Sequence, residues 1–334
     1  SAIEAAQTTE ITAMEGWLSD RGLVAEAPCL PEEAPEGGGG MEMMMGCGQT
    51  DCTSTSMYMA ENMAMHQGMA IEFTGDPEID FVLGMIPHHE GAVEMCAIAR
   101  QTSGTPNGRG GENIPALDTF IDTLCTDVET GQNAEIQSMT DWLATKGVSA
   151  STTCEGSDSQ RVVMGMVMGC GETGSMSSQL FMSENMAMHH GMAIDFTCDP
   201  GVDFIRGMIP HHRGAVEMCN IVRATVTGDY SLLGAGVHTM PDGTVMATSS
   251  MHVMPDGTMM SNTEGMHVMP DGTMMADAEM QALGPAPAPR ELDPFIASLC
   301  SAIEAAQTTE ITAMEGWLSD QGLVAEAPCL PEEA

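Results

Sequence analysis

The chain has 334 residues, a formal charge of −39 and a single lysine, Lys146. A surface this acidic makes nucleic acid and anionic lipid poor partners and favours cations, although a salt-adapted or simply soluble exterior would show the same charge. Hydrophobic residues are 43% of the chain, enough for a core, and no apolar run reaches the ~20 residues that a membrane-spanning helix needs. Methionine, with 35 residues, takes much of leucine's usual place.

Residues 1–34 recur at 301–334 with one difference, Arg21 in place of Gln321. The two copies lie 300 positions apart, so the chain is periodic. It begins inside a predicted helix, with neither an initiator Met nor a signal peptide. We therefore expect a piece of a longer tandem-repeat protein, with a fibre as its natural product. Residues 1–34 are expected to be the C-terminal helix and tail of a preceding repeat.

A shorter repeat lies inside this period. The segments M-M-M-G-C-G, E-N-M-A-M-H and G-M-I-P-H-H recur almost unchanged 123 positions later. The offset rises to 175 in the segment that ends in W-L, and the 52 extra residues indicate an insertion in the second copy. The predicted domains are a helical bundle at 35–154 and a second at 155–334, with the insertion at about 228–290.

Each copy predicts three helices joined by short polar links. In copy 1 they are expected over about 56–74, from the Asp-Pro pair at 76–77 to about 101, and over 114–146. The corresponding helices of copy 2 are expected over 178–197, 200–224 and 293–321. The second helix of each copy contains a proline, Pro87 or Pro210, which should kink it. The pattern predicts an all-α fold of tandem helical bundles.

The cysteines predict a disulfide framework, since eleven Cys fit an oxidising compartment. The simplest bridges, which repeat from copy to copy, are Cys96–Cys125 and Cys219–Cys300 between successive helices. Cys29–Cys47 and Cys154–Cys170 would then join the end of one domain to the start of the next. Cys52 and Cys198 have no counterpart in the other copy and suggest a bond between the domains. Cys329 would then pair in the following period. Thiolate metal ligation is the rival interpretation, although the chain has no C-x-x-C pair.

The insertion has a small repeat of its own. H-T-M-P-D-G-T-V-M begins at His238, and H-V-M-P-D-G-T-M-M begins at His252 and again at His267. Pro-Asp-Gly between β-prone flanks predicts a tight turn, and hence three short hairpins with Met and His on their arms. Each is either a metal site or a solvated loop.

Met and His recur at helical spacing, so that each helix of a copy has a face bearing soft ligands. On the third helices, Gln132, Glu135 and Met139 share such a face, as do Gln307, Glu310 and Met314. Thioether with imidazole selects Cu(I) or Ag(I), and Met can hold Cu(I) where Cys is already oxidised. A Met stripe is also ordinary core filler, but a His in a Met-lined interior needs a polar partner. The predicted metal ligands are Met59, Met63, His66, Met69, Met85, His88, His89, Met95 and Met139 in copy 1, Met182, Met186, His189, His190, Met192, Met208, His211, His212, Met218 and Met314 in copy 2, and His238, His252 and His267 in the insertion.

Three motifs occur in the same order in both copies: M-x-M-H-x-x-M, F-x-x-G-M-I-P-H-H-x-G-A-V-E-M and Q-x-x-E-I-x-x-M-x-x-W-L. Together they resemble the bacterial family called domain of unknown function 305. The resemblance covers both domains and the two terminal tails. It implies an exported, ferritin-like domain associated with copper binding and tolerance, with the Met and His of the first two motifs as ligands. The insertion, the cysteines and the tandem array depart from that pattern.

These observations predict the structural subunit of an extracellular, disulfide-linked fibre whose bundles bind copper, as Cu(I), for sequestration or tolerance. Its expected partners are metal ions and copies of itself. The alternatives are a purely structural filament without metal and a soluble periplasmic copper-binding protein. We expect no catalytic residues and no enzyme, because a ferritin-like oxidase needs Glu-x-x-His on its bundle helices. The pair with that spacing, Glu264 and His267, falls in the insertion.

Overall fold

The computed structural model describes the two copies and parts of the insertion. The described residues are 46–105, 114–150, 154, 160–163, 166–239, 245–247, 251–253, 259–261, 266–268, 274–276 and 288–325. The predicted tail of a preceding repeat, at residues 1–34, lies outside them.

Six α-helices carry the fold. They are α1 (Thr53–Gly68), α2 (Pro77–Thr102), α3 (Thr119–Lys146), α4 (Met176–Gly191), α5 (Pro200–Thr227) and α6 (Pro294–Asp320). The predicted all-α class is confirmed, with small sheet elements added to it. None of the helices within the described part of the chain combines the length and the apolar character that a membrane span requires.

The helix starts follow from local sequence. As predicted, α2 and α5 begin at Asp-Pro pairs, where Asp76 accepts a hydrogen bond from the Glu78 amide and Asp199 from the Gly201 amide. Both helices continue through their internal prolines. The C-terminal end of α3 is closed by Gly147, whose φ of 72° is left-handed.

The expectation that the first helix of each copy reaches Thr74 or Thr197 was wrong. In the structure α1 ends at Gly68 and α4 at Gly191. An ideal Cβ on Gly68 would lie 2.9 Å from Cβ of Pro87, so glycine permits the close approach of α1 to α2. The residues that follow each helix form a short strand instead, because a strand partner from the other copy is available to them.

Among the described residues of the two bundles, four short strands link the two copies and a fifth, β3, pairs within copy 2. They are β1 (Cys47–Gly48), β2 (Glu72–Phe73), β3 (Arg161–Val163), β4 (Met166–Gly171) and β5 (Asp195–Phe196). β1 pairs in parallel with β5, and β4 pairs in parallel with β2. β3 pairs antiparallel with β4. The M-G-C-G strand of each copy is therefore hydrogen-bonded to the other copy, which the sequence analysis did not anticipate.

The two copies share one hydrophobic core. Helices α2 and α5 pack against each other at its centre, with α1 and α3 against α2, and α4 and α6 against α5. The outer helices α3 and α6 also meet. Phe120 stacks on Trp317 with ring centroids 6.4 Å apart, and Trp142 stacks on Phe295 at 5.6 Å. These equivalent contacts are those of an intertwined pair with approximate two-fold symmetry.

Four predicted disulfides are confirmed, and they are Cys52–Cys198, Cys96–Cys125, Cys154–Cys170 and Cys219–Cys300. Their Cα–Cα distances are 5.3–5.7 Å, within the usual range. Cys47 is also disulfide-bonded, whereas Cys29 and Cys329, the remaining cysteines, lie outside the described residues. The Cys52–Cys198 bridge joins the two copies covalently.

The predicted hairpins of the insertion are confirmed as three antiparallel strand pairs. They follow a 3-10 turn at Tyr230–Gly236. The pairs are β6 (Val237–Thr239) with β7 (Val245–Ala247), β8 (Met251–Val253) with β9 (Met259–Ser261), and β10 (Met266–Val268) with β11 (Met274–Ala276).

Candidate metal-binding core

The predicted helix ligands are concentrated in the shared core. Six imidazoles have no solvent exposure, and these are His66, His88, His89, His189, His211 and His212. Ten predicted methionine ligands are also buried: Met69, Met85, Met95, Met139, Met182, Met186, Met192, Met208, Met218 and Met314. Met59, Met63 and His190 are only partly buried. His238, His252 and His267 are on strands β6, β8 and β10.

His88 and His211 face each other where α2 crosses α5. Nε2 of His88 donates to the backbone carbonyl of His211 at 3.1 Å, and Nε2 of His211 donates to the carbonyl of His88 at 2.9 Å. Because a carbonyl oxygen only accepts, each Nε2 carries the proton. In the neutral rings both Nδ1 atoms then present lone pairs, and neither has a hydrogen-bond partner in the described part of the chain.

His66 and His189 form a second facing pair, between α1 and α4, with ring centroids 4.8 Å apart. The side-chain amide of Asn185 donates to the backbone carbonyl of His66 at 3.3 Å, which fixes its orientation. Its oxygen therefore accepts from Nδ1 of His66, at 2.8 Å. Asn62 holds His189 in the same way, at 3.3 Å. Nε2 of each ring carries a lone pair, buried and unpartnered among the described residues.

His89 and His212 are held by carboxylates. Nε2 of His89 lies 2.7 Å from Oε2 of Glu135, and Nε2 of His212 lies 2.7 Å from Oε2 of Glu310. Nδ1 of each ring is buried, and no described residue bonds to it. The predicted face of the third helix is therefore turned towards the histidines.

The third-helix face carries two more buried groups in each copy. Gln132 and Gln307 lie one turn before the carboxylates, and neither amide has a hydrogen-bond partner within the described ranges. Met139 and Met314 lie one turn after the carboxylates, and both are fully buried. A carboxylate-bound imidazole, an amide and a thioether thus occupy one region of each copy.

Burial keeps the core imidazoles neutral. Desolvation lowers the pKa of His66 to about 4 and that of His189 to about 3. Desolvation, with smaller contributions from the neighbouring histidines, also holds the pKa of His88 and of His211 well below the usual range. At neutral pH these four rings are therefore in the form that offers a lone pair.

Thioethers cross the interface opposite glycines. The methyl of Met95 lies 3.0 Å from the place that a Cβ on Gly207 would take, and the methyl of Met218 lies 3.3 Å from that of Gly84. Gly207 and Gly84 each precede a central histidine by one helical turn. The missing side chain of each glycine therefore makes room for a thioether beside the His88–His211 pair.

Two further methionines were not among the predicted ligands. Sδ of Met65 lies 2.7 Å from the Cβ position of Gly91, and Sδ of Met188 lies 2.9 Å from that of Gly214. The sequence shows a methionine on one helix and a glycine on the next in each copy. That each methionine packs on its glycine depends on the packing of α1 on α2 and of α4 on α5.

A partly buried acidic pair, Glu184 and Glu217, also escaped the sequence analysis. Burial and the neighbouring Glu217 carboxylate raise the pKa of Glu184 to about 8. Glu184 also approaches Gly214, with Oε1 3.5 Å from its Cβ position. The sequence does place Glu184 four residues before Met188, on the same helix face. It was not selected because the pattern of soft ligands considers only Met and His.

In the part of the chain that the structure describes, the core histidines and carboxylates do not gather into a group of three with mutually close ligand atoms. Among the described residues, one group of three His, Cys, Asp or Glu side chains has ligand atoms within 4.8 Å of one another, namely Asp51, Cys52 and Cys198. The two sulfurs of that group are joined in a disulfide. An ion in the histidine core would therefore need methionine sulfur as well, which selects for a soft cation.

Comparison with known proteins gives a family. The family described as Domain of unknown function (DUF305) matches residues 1–110 and 113–228. Each match includes the first and second helices of one copy. No curated protein and no solved structure matches the chain.

Proposed function

This chain belongs to the DUF305 family, and on that premise we propose that its shared core binds Cu(I) through histidine nitrogen and methionine sulfur. One observation carries the proposal. Six buried imidazoles each have one nitrogen hydrogen-bonded to a carbonyl, amide or carboxylate oxygen, while the other has no partner in the described residues. Metal-ligating histidines are held in this way, because the second hydrogen bond fixes the tautomer and the ring orientation.

The donor set favours a soft monovalent ion. Neutral imidazole and thioether suit Cu(I) or Ag(I), whereas Mg²⁺ and Ca²⁺ prefer oxygen. Burial of charge is costly, so one positive charge is easier to accommodate than two. The carboxylates of Glu135 and Glu310, bonded to His89 and His212, provide negative charge close to the core.

The alternative of a purely structural core has a specific difficulty. A buried polar atom without a partner costs about 1–3 kcal/mol, and the core repeats this arrangement at all six fully buried imidazoles. Apolar side chains of similar volume would avoid the cost. A bound ion removes it by satisfying the lone pairs.

We extend the proposal to assembly and location. Disulfides between and within the copies support a protein of an oxidising compartment. The interlocked copies make the 300-residue period the structural unit, and units in series would form an extracellular, disulfide-linked fibre that sequesters copper. A soluble periplasmic copper-binding protein is the alternative. In either setting the role is binding and not catalysis.

The test is anaerobic Cu(I) titration of the purified chain against a chromophoric chelator. We expect a Kd well below about 1 µM, and a weaker value would contradict the proposal. The variant Met139→Leu with Met314→Leu removes two buried sulfurs at nearly constant volume and should weaken binding about tenfold or more. The control is Met57→Leu, since Met57 is buried and its counterpart in copy 2 is Leu180.

A further inference from the structure

One imidazole on the described helices, that of His190, is not fully buried. The other six have no solvent exposure, whereas His190 keeps part of its surface in contact with solvent. It follows His189 near the end of α4, and the two ring centroids are 6.0 Å apart. His190 therefore connects the protein surface with the buried His66–His189 pair.

His190 is close to both rings of that pair. Desolvation is the main cause of the low pKa of His66 and of His189, and the nearby His190 lowers both values further. Partial burial also lowers the pKa of His190 itself. Burial therefore favours the neutral ring of His190, which offers a lone pair to a cation.

The equivalent position of copy 1 carries a different residue. Gln67 takes the place of His190, and its side chain is exposed. The surrounding segment is otherwise the same in both copies, over residues 61–71 and 184–194. The imidazole next to the buried pair is therefore a feature of copy 2 that copy 1 replaces with an amide.

We propose that Cu(I) enters the shared core through His190, which binds the ion at the surface and transfers it to His189 and His66. The inference rests on the proposed copper function and adds a route to it. An imidazole nitrogen binds a metal at about 2 Å, so two rings with centroids 6.0 Å apart can hold one ion between them. The bond to His189 forms as the bond to His190 breaks. Copper remains Cu(I), and no proton is transferred, because the lone pairs belong to neutral rings.

Such a route lowers the barrier to a buried site. Without it the ion would lose its ligands before it reached a lone pair, and an unligated charge in an apolar interior is costly. The alternative, local unfolding of α1 or α4, also costs free energy. His190 is not a third ligand of the final site, because the ligand atoms of the three rings do not form a mutually close group in the described part of the chain.

The test is stopped-flow transfer of Cu(I) from a chromophoric chelator to the full chain under anaerobic conditions. His190→Gln, which introduces the residue of copy 1, should slow uptake about tenfold. Release to excess chelator should slow by the same factor, so that Kd changes by less than about threefold. A residue that acts on the route alone changes both rates equally, whereas a ligand of the final site would lower the affinity.

The chain offers a matched control in Gln67→His. Combined with His190→Gln, this substitution moves the imidazole to the equivalent position of copy 1 and should restore fast uptake. In a His189→Leu background, His190→Gln should leave the rate unchanged, because the ligand that receives the ion is missing.

Uptake by His190→Gln at the wild-type rate would overturn the inference, and so would a loss of affinity as large as the loss of rate. Slow uptake in Met59→Leu with Met63→Leu, at the partly buried methionines of α1, together with a normal rate in His190→Gln, would move the entrance to copy 1. Failure of the core proposal has a different signature, because the wild type itself would then bind more weakly than about 1 µM.

Discussion

His88 and His211 donate hydrogen bonds to each other's backbone carbonyl oxygens, although 123 residues separate them. Their ring centroids are 3.8 Å apart. This reciprocal contact lies where the two copies meet, and it fixes the protonated nitrogen of both rings. The copies are therefore joined by the same residues whose Nδ1 lone pairs are buried without a hydrogen-bond partner in the described part of the chain. When the two copies pack together, the same hydrogen bonds orient both imidazoles of the proposed site.

Removing the charge that orients His89 and His212 should weaken metal binding. We predict that Glu135→Gln with Glu310→Gln lowers Cu(I) affinity about 10–100-fold, because the carboxylate accepts from Nε2 of each ring and holds the ring in the orientation that leaves Nδ1 free to bind. Chelator competition measures the change. Glu129→Gln with Glu304→Gln is the matched control, since these equivalent carboxylates pair with Arg100 and Arg223. Equal losses in both variants would contradict a role for the histidine partners.

A second bridge between the copies can be built by symmetry. The counterparts of Cys52 and Cys198 are Ser175 and Gly75, and Gly75 has the left-handed φ of 80° that matches 64° at Cys198. Gly75→Cys with Ser175→Cys should form a disulfide. Because Cys52–Cys198 already joins the two segments, the new bond closes a loop of about 46 residues, worth about 4 kcal/mol. After about 1 kcal/mol for the lost cap and about 1 kcal/mol for a side chain at the left-handed φ of residue 75, the expected net stabilisation is about 2 kcal/mol.

Non-reducing peptide mapping detects the new bridge, and reversible unfolding under oxidising conditions measures its effect. Ser175→Cys alone should lower the free energy of unfolding by about 1 kcal/mol, because Ser175 caps α4 through the Ser178 amide. Free thiols at both positions after oxidation would disprove the assumed two-fold equivalence.

The two glycines under Met65 and Met188 should be intolerant of a methyl group. Gly91→Ala and Gly214→Ala place Cβ within 2.9 Å of a thioether sulfur, and each should destabilise the protein by about 1–3 kcal/mol. Gly131→Ala on α3 is the control. No described atom lies within 4 Å of its Cβ position, so it should stabilise by about 0.5–1 kcal/mol. Urea unfolding measures the free energy of unfolding of the three variants. If Gly91→Ala leaves that free energy unchanged, the thioether of Met65 can move aside and the prediction is wrong.

Buried His66 should make the metal-free protein sensitive to acid. Its pKa is about 4 in the folded state and about 6.5 when unfolded. Between these values the unfolded chain binds the proton that the folded chain excludes, so this contribution to stability falls as pH falls. Asp80 and Asp203 oppose the trend, because burial raises their pKa to about 6 and 7.

The prediction therefore concerns the difference between the wild type and His66→Leu. The wild type should lose about 3 kcal/mol relative to the variant between pH 7 and pH 4. Denaturant unfolding across that range measures the difference. A difference that does not change with pH would mean that His66 is protonated equally in both states.

Much of the fold was predictable because it depends on local sequence. Asp76 and Pro77 start α2 through a cap and a preset φ, wherever the helix goes afterwards. The bridges Cys96–Cys125 and Cys219–Cys300 followed from equivalent positions on successive helices. The buried Met and His side chains of the core followed from helical spacing. The approach of Met65 to Gly91 and of Met188 to Gly214 did not, because these contacts join different helices.

The sequence by itself determined the repeat, the helices, four of the disulfide pairs and the imidazole and thioether character of the core, because each depends on residue type and short-range periodicity. Only the tertiary structure decided which copy supplies the partner. A strand such as Cys47–Gly48 has the same local preference for Phe73 of its own copy as for Phe196 of the other, and the fold selects the other. The same choice pairs His66 with Asn185 and His189 with Asn62. Since the copies are nearly identical, short-range interactions cannot distinguish these alternatives, and the packing of α2 against α5 brings the cross-copy partners together.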